Sequence, residues 1–368
     1  MKCPHCGNQC NVGDELCIQC GNRLPVDAGI LSPGMLLRGR YEINTEPTRR
    51  GGMGTVYFAV DRQAEGKSCV VKQARDRVTS EAVLKKLQEE AQHMADLSRT
   101  VGGRIAEILE DFVEDGWFYL IQQRIPGKTL EEVLNERQSL QEAEVVGWAI
   151  QCCKILQSIH ATKNLHRDIS PDNLMLTPMG DIMFIDFGAL REFRRIAQGT
   201  MGIGKCGYSP PEQWANSPVT QSDIFALGAT TYYLLTGFLP LSDEYRSGAG
   251  PQRSDFLPVF PPIRSKNQKA SPELEKILAR ALDLEVSKRY ASAEEMRIEL
   301  EKLVEAQHKD IPPIYCPKCG KPNEPDLVYC KYDLARLHQG TQQCPKCGKP
   351  IPVNAKFCPR DGAPIPTR

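Results

Sequence analysis

The chain has 368 residues, enough for more than one domain, and its 46 Lys and Arg balance 46 Asp and Glu. That balance gives no global pull towards nucleic acid or an anionic membrane surface. No apolar run approaches the roughly 18–20 residues of a membrane helix, and the opening Met1-Lys2-Cys3-Pro4-His5-Cys6 has no apolar signal-peptide core, so a soluble cytoplasmic protein is expected. Ten of the 15 cysteines fall in Cys-x-x-Cys pairs or related half-sites near the two ends, which favours metal over disulfides.

Residues 1–24 carry Cys3, Cys6, Cys17 and Cys20, with ten residues between the two pairs. Gly7 and Gly21 follow the pairs and let backbone amides point at the sulfurs. Four thiolates match a tetrahedral structural zinc site. About 24 residues cannot bury a core, so zinc is expected to supply most of the folding energy. The arrangement resembles the zinc-ribbon family. Residues 25–38, with Pro25, Gly29, Pro33 and Gly34, read as a linker.

Next comes Arg50-Gly51-Gly52-Met53-Gly54-Thr55-Val56, a glycine-rich turn running into a strand. Bare amides in such a turn can approach phosphate oxygens. Cys69-Val70-Val71-Lys72 is a strand ending in Lys. Residues 81–97 show a helical pattern, with Glu90 on the face of Leu87 and Met94. Phe112-Val113 and Trp117 to Ile121 are two strands about the turn Glu114-Asp115-Gly116. Thr129-x-x-Glu132 and Ser139-x-x-Glu142 are capping boxes. The helix after the second carries Val145, Trp148, Cys152, Leu156 and Ile159 at helical spacing, a core stripe.

The stretch His166-Arg167-Asp168-Ile169-Ser170-Pro171-Asp172-Asn173 follows. Thirteen residues after Asn173 comes Asp186-Phe187-Gly188, behind the apolar strand Ile182 to Ile185. An H-R-D with Asn five residues on, followed by D-F-G, is the pattern of a kinase catalytic loop and metal-binding motif. Residues 189–209 are basic and end in Pro210-Pro211-Glu212. Asp223 opens an apolar helix running to Thr236, and Ser271 and Ser292 cap the last two helices before the domain closes near Val304.

Residues 305–315 read as a second linker. Then Cys316-x-x-Cys319, Cys330-x-x-Asp333 recurs 28 residues later as Cys344-x-x-Cys347, Cys358-x-x-Asp361. A carboxylate can ligate zinc, so each site reads as Cys3-Asp. The alternative is three cysteines plus another donor, with Asp orienting the turn. Residues 316–368 are therefore expected to form tandem zinc ribbons.

Residues 39–304 resemble the eukaryotic-type (Hanks-type) serine/threonine protein kinases found in bacteria. The resemblance implies an α+β, two-lobed kinase fold with zinc ribbons at both termini. The N-lobe would span about 39–123 and the C-lobe about 124–304, with ATP between them. It implies roles as well. Asp168 accepts the proton of the attacking hydroxyl, and Asn173 and Asp186 hold magnesium. Lys72 contacts the phosphates and pairs with Glu90. Gly51, Gly52, Gly54 and Val56 cover the nucleotide, while main-chain groups of Gln123 and Ile125 meet adenine beside the gatekeeper Gln122. Thr200 is a candidate phosphosite whose phosphate would pair with Arg167. Asp223 ties down the catalytic-loop backbone, and Arg289 pairs with Glu212.

Three departures stand out. Arg49 replaces the first glycine of the loop. Ser170 replaces the Lys usual two residues after the catalytic Asp, and Lys205 replaces the Thr usual before the Gly-Tyr of the activation segment. Arg49 or Lys205 could return the lost cation. The expected activity is transfer of the γ-phosphoryl group of ATP to protein Ser or Thr. A pseudokinase scaffold that displays its ribbons is the alternative. In either case the ribbons could dock a partner protein. Residues 314–368 carry nine Lys and Arg against four Asp and Glu with few aromatics, so nucleic acid is not the expected partner.

Overall fold

The computed structural model describes residues 19–20, 29–51, 54–78, 80–186, 204–242, 253–309, 314–316, 318–323, 331–332, 335, 341–343 and 350–352. The chain divides into two units, Met1–Pro126 with Ile185–Met201, and Gly127–Phe184 with Gly202–Arg368.

The first unit is built on an antiparallel sheet. Its strands are β1 (Leu36–Leu37), β2 (Tyr41–Ile43), β3 (Arg49–Gly51), β4 (Gly54–Asp61), β5 (Lys67–Arg77), β6 (Ile108–Glu114) and β7 (Trp117–Gln123). The order is β1-β2-β4-β5-β7-β6, with β3 also on β4. Strand β4 alternates, sending Tyr57, Ala59 and Asp61 inward, whereas β7 is buried from Trp117 to Gln122, as its unbroken run of large residues requires. Asp115 and Gly116 both have positive φ, 51° and 78°, as a two-residue hairpin turn of the right twist needs. Helix α1 (Glu81–Thr100) is capped by Ser80, whose Oγ accepts from Val83 N at 3.3 Å. It buries Leu87, Ala91, Met94 and Leu97 at spacings of three and four.

The expected linker 25–38 is not a linker from residue 29 onward. Leu31 and Leu37 are buried in one apolar cluster with Tyr41, Tyr57, Val71 and Trp117. Leu31 N donates to the Tyr57 hydroxyl at 3.1 Å, and the Gln73 side-chain amide donates to Gly29 O at 2.7 Å. Gly29 sits at φ +55°, and a Cβ there would lie 2.8 Å from Trp117 Cζ2. Sequence composition suggested a spacer because its Pro and Gly punctuate a strap that is packed. Gly29→Ala is expected to lower stability by about 1–3 kcal/mol through overpacking, read as an earlier midpoint in urea unfolding followed by Trp fluorescence.

In the second unit a small sheet of β8 (Lys128–Thr129), β9 (Leu174–Leu176) and β10 (Ile182–Phe184) sits among helices α2 (Leu130–Arg137), α3 (Glu142–Ala161), α4 (Pro211–Trp214), α5 (Thr220–Thr236), α6 (Pro272–Ala281) and α7 (Ala293–Lys309). The Thr129 capping box forms as its residues require, with Thr129 N donating to Glu132 Oε2 at 2.7 Å. The Ser139 box does not form. Helix α3 begins at Glu142, whose carboxylate instead accepts from Ser271 N and Oγ, both at 2.7 Å. A tertiary contact has taken the group the local motif would have used. The stripe Val145, Trp148, Cys152, Leu156 and Ile159 is buried, and α5 is buried over nearly its whole length. Helix α7 runs to Lys309, so the expected boundary at Val304 falls inside it.

Beyond α7 two short hairpins repeat the sequence period. Strands β11 (Ile314–Tyr315) and β12 (Pro322–Asn323) pair Ile314 with Asn323. Strands β13 (Thr341–Gln343) and β14 (Pro350–Pro352) pair Gln342 with Ile351, each position 28 further on.

Candidate active site

In the first unit the glycine-rich turn is a hairpin. Gly51 faces Gly54 across the β3–β4 ladder, which leaves two residues at the tip, and Val56 faces Lys72 across β4–β5. Lys72 is only 6% exposed. A buried ammonium needs partners, and it has two from the segment after β10: Asp186 Oδ1 and Ile185 O, both at 3.1 Å. The expected Lys72–Glu90 ion pair does not form. Glu90 lies half-buried on α1, and Asp186 with Ile185 O takes the ammonium in its place. At the end of β7, Gln122 is buried and donates from Nε2 to Ala106 O at 3.2 Å. Gln123 N donates to Glu107 O at 2.8 Å, so that amide is committed to the protein itself. Ile125, the other hinge candidate, is buried.

In the second unit the stretch from His166 to Asn173 is held rigidly. Arg167 has φ +63°, a left-handed conformation costing about 1 kcal/mol or more in a non-glycine residue. Asp223, at the start of α5 and 1% exposed, holds that turn. Its carboxylate accepts from His166 N at 2.9 Å, Arg167 N at 2.8 Å and His160 Nε2 at 2.8 Å. Burial pushes this carboxyl up, but the hydrogen bonds from His160 and the His166 amide outweigh it and hold it below the ordinary range. The expected role of Asp223 is thus met, whereas His160 carries no sequence signal, because its partner lies 63 residues away in the chain.

Asp168 is 2% exposed, and its amide donates to His166 Nδ1 at 3.3 Å. The His166 ring in turn stands edge-on to Phe184 at 4.9 Å. A single turn of 3₁₀ helix, Pro171–Asn173, brings Asn173 round so that its Nδ2 donates to Asp168 O at 2.9 Å. Asn173 Oδ1 is buried without a hydrogen-bond partner among the described residues. A buried amide oxygen left over in this way fits a hard cation, which takes oxygen ligands. Lys205 joins the loop from outside: its ammonium binds Ser170 Oγ at 3.1 Å and pairs with Asp172, and Ser170 Oγ donates to Asp172 Oδ1 at 2.6 Å.

Two further contacts brace this unit. Gln213 Nε2 donates to Arg167 O at 2.8 Å. Arg289, buried, forms the expected bidentate pair with Glu212, at 2.6 and 3.1 Å.

Of the expected zinc ligands, Cys316 and Cys319 are described together with Cys20. Cys316 is 2% exposed, and its sulfur accepts from Lys318 N at 3.3 Å and Cys319 N at 3.5 Å. Gly320 closes this turn at φ +68°. Amides aimed at a buried sulfur suit a thiolate that binds zinc. Cys3, Cys6, Cys17, Cys330, Asp333, Cys344, Cys347, Cys358 and Asp361 lie outside the described residues, as do Gly52 and Thr200. No helix among the described residues is long and apolar enough to cross a membrane.

The sequence profile described as "Protein kinase domain" matches residues 48–300. The chain belongs to the protein kinase family. A second profile, "Double zinc ribbon", matches residues 316–362 of this kinase-family chain. Serine/threonine-protein kinase B of Synechocystis sp. is 30% identical over 314 residues, 82% of this chain and 50% of its own. Serine/threonine-protein kinase PknA of Nostoc sp. is 32% identical over 275 residues, 71% of this chain and 47% of its own. The chain thus spans about half the length of these curated relatives. Among solved structures, the apo form of PpkA-294 superposes with a TM-score of 0.57 at 26% identity, covering 73% of this chain and 99% of that one. Rad53 1-466 in complex with AMP-PNP shares the fold, with a TM-score of 0.54 at 20% identity over 70% of this chain and 64% of that one.

Proposed function

We propose that the chain is an ATP-dependent protein serine/threonine kinase. The observation that carries this reading is the locked turn His166 to Asn173, which Asp223 clamps and which leaves Asn173 Oδ1 for a cation. Family membership and the names of the curated relatives support it, and they count against a scaffold without turnover.

In this reading the substrate hydroxyl attacks the γ-phosphorus, Asp168 takes its proton, and ADP leaves. Lys72 binds the nucleotide phosphates, with main-chain amides of Gly51, Gly52 and Gly54 and the side chain of Val56 covering the nucleotide. Main-chain groups of Gln123 and Ile125 meet adenine; for Gln123 this excludes the amide bound to Glu107. Asn173 and Asp186 are the magnesium ligands. Magnesium supplies charge neutralisation at the phosphate oxygens when bound. Thr200 is the proposed regulatory phosphosite. The domains are a zinc ribbon at residues 1–24, the kinase domain from residue 29 to the end of α7, and a ribbon pair from residue 316. The ribbons dock a partner protein, and the cytoplasm, where cysteines stay reduced for zinc, is the proposed location.

The test is transfer of label from γ-labelled ATP. Zinc-loaded protein with magnesium and a generic basic substrate protein is expected to place acid-stable, alkali-labile label on Ser and Thr, and chelating the magnesium is expected to stop it. Nucleotide binding with no transfer at any ATP concentration would sink the kinase reading in favour of the scaffold.

A further inference from the structure

Phosphoryl transfer needs positive charge against the oxygens of the moving group, and the side chains nearest the reacting atoms are the usual source. The stretch from Asp168 to Asn173 has none of its own. Residues 168–173, Asp-Ile-Ser-Pro-Asp-Asn, hold two carboxylates and no Lys or Arg. The fold brings one in. Lys205 lies 35 positions beyond Ser170, and its Nζ reaches Ser170 Oγ at 3.1 Å and the Asp172 carboxylate. The two sequence departures at positions 170 and 205 therefore meet in one hydrogen-bonded cluster.

The geometry points to Lys205 as the cation that contacts the transferred phosphoryl group. This rests on the kinase reading above. Its backbone is pinned: the amide donates to Ser209 Oγ at 2.8 Å, and its carbonyl accepts from Tyr208 N at 3.0 Å and Ser209 N at 2.9 Å. Its stem passes the Tyr208 ring, with Nζ 5.4 Å from the ring centroid. The ammonium has three donors, and Ser170 and Asp172 engage two of them. Among the described residues the third meets no acceptor, which leaves it for an incoming one. Ser170, fully buried, donates to Asp172 Oδ1 at 2.6 Å and so can only accept from Lys205, which fixes the direction of both bonds. Ser170 and Asp172 are positioning residues for the cation.

The chemistry balances without any proton leaving Lys205. A bond forms between the substrate oxygen and the γ-phosphorus, the bond from that phosphorus to the β–γ bridging oxygen breaks, and the hydroxyl proton goes to Asp168. Lys205 stays an ammonium throughout and donates a hydrogen bond to a phosphoryl oxygen whose charge it offsets.

The experiment moves the charge from one side of the cluster to the other. Steady-state label transfer, ATP affinity and thermal melting are measured for wild type, Lys205→Met, Lys205→Arg, Lys205→Gln and the double variant Ser170→Lys/Lys205→Thr in the full-length zinc-loaded protein. Lys205→Met is expected to lower kcat about 100-fold or more, the range for loss of one preorganised donor, with ATP affinity within about threefold of wild type. The double variant is expected to regain turnover to within about tenfold of wild type, because its ammonium again lies in the cluster. If Lys205→Met does not fold, the Arg and Gln variants decide: activity kept by Arg and lost by Gln supports the cation, and equal activities overturn it. Turnover by Lys205→Met near the wild-type level would overturn the inference alone. A folded, ATP-binding double variant as inactive as Lys205→Met would also overturn it, since position 205 would then act by holding the loop. Absence of transfer by wild type would instead overturn the kinase reading, and this inference with it.

Discussion

Asp168→Asn is expected to lower kcat by about 10²–10⁴-fold, the range for loss of a general base, which is about 3–5 kcal/mol of transition-state stabilisation. Asn is nearly isosteric with Asp but cannot take a proton. Asp168 is buried in the turn that Asp223 holds, and three bonds that shape that turn do not use its carboxylate: His166 N and Arg167 N to Asp223, and Asn173 Nδ2 to Asp168 O. The substitution leaves every one of these in place. Melting temperature and ATP affinity should therefore stay near wild type while turnover collapses. The measurement is single-turnover label transfer beside calorimetric nucleotide binding. Wild-type kcat in the variant would remove Asp168 from the chemistry. A parallel loss of ATP affinity would mean the substitution had disturbed more than proton transfer.

Asp223→Ala should act on the fold and the chemistry together. It removes a buried acceptor from two main-chain amides and His160; the His166 bond is fully buried and the other two are part-buried. Stranding buried donors costs about 1–3 kcal/mol each, and breaking a buried charged cluster typically costs about 3–5 kcal/mol in all. The left-handed Arg167 then loses the acceptor of its amide, so turnover should fall as well. The pH dependence has a definite sign. The folded carboxyl is held below its unfolded value of about 3.9. Its stabilising contribution is therefore complete above that value and is lost as pH falls through the lower folded value. The stability gap between wild type and Asp223→Ala, from urea unfolding, should narrow as the pH falls below about 4. A gap that widened in acid would contradict the assignment. Asp223→Asn keeps one acceptor oxygen and should fall between the two.

Much of this was legible from residue order alone. The strands around Asp115-Gly116 and the buried stripe on α3 follow from patterns whose physics is local, whereas the clamp by Asp223 and the Glu212–Arg289 pair were implied by the resemblance to the kinase family. Two of the failures share one cause, a distant partner outcompeting a near one. Glu142 looked like half of a capping box with Ser139, but Ser271 claims its carboxylate. Glu90 was the expected partner of Lys72, but Asp186 and Ile185 O hold that ammonium. Spacing along a helix says which face a side chain occupies. It does not say what the opposite element has already supplied. Lys205 was visible as an oddity and a possible replacement cation, but its attachment to Ser170 needed the fold.

The strap at residues 29–37 moves the edge of the cooperative unit. Motifs place the start of the kinase domain near residue 39, whereas the apolar cluster that melts with the sheet includes Leu31 and Leu37. Gln73, which grips Gly29 O, is the immediate chain neighbour of Lys72. Hydrogen exchange should therefore find the Leu31 amide closing and opening with β4 and β5 rather than fraying like a tail. The thermodynamic boundary of this domain precedes its motif boundary by about ten residues, and whatever tugs on the chain ahead of residue 29 tugs on the strand that carries Lys72.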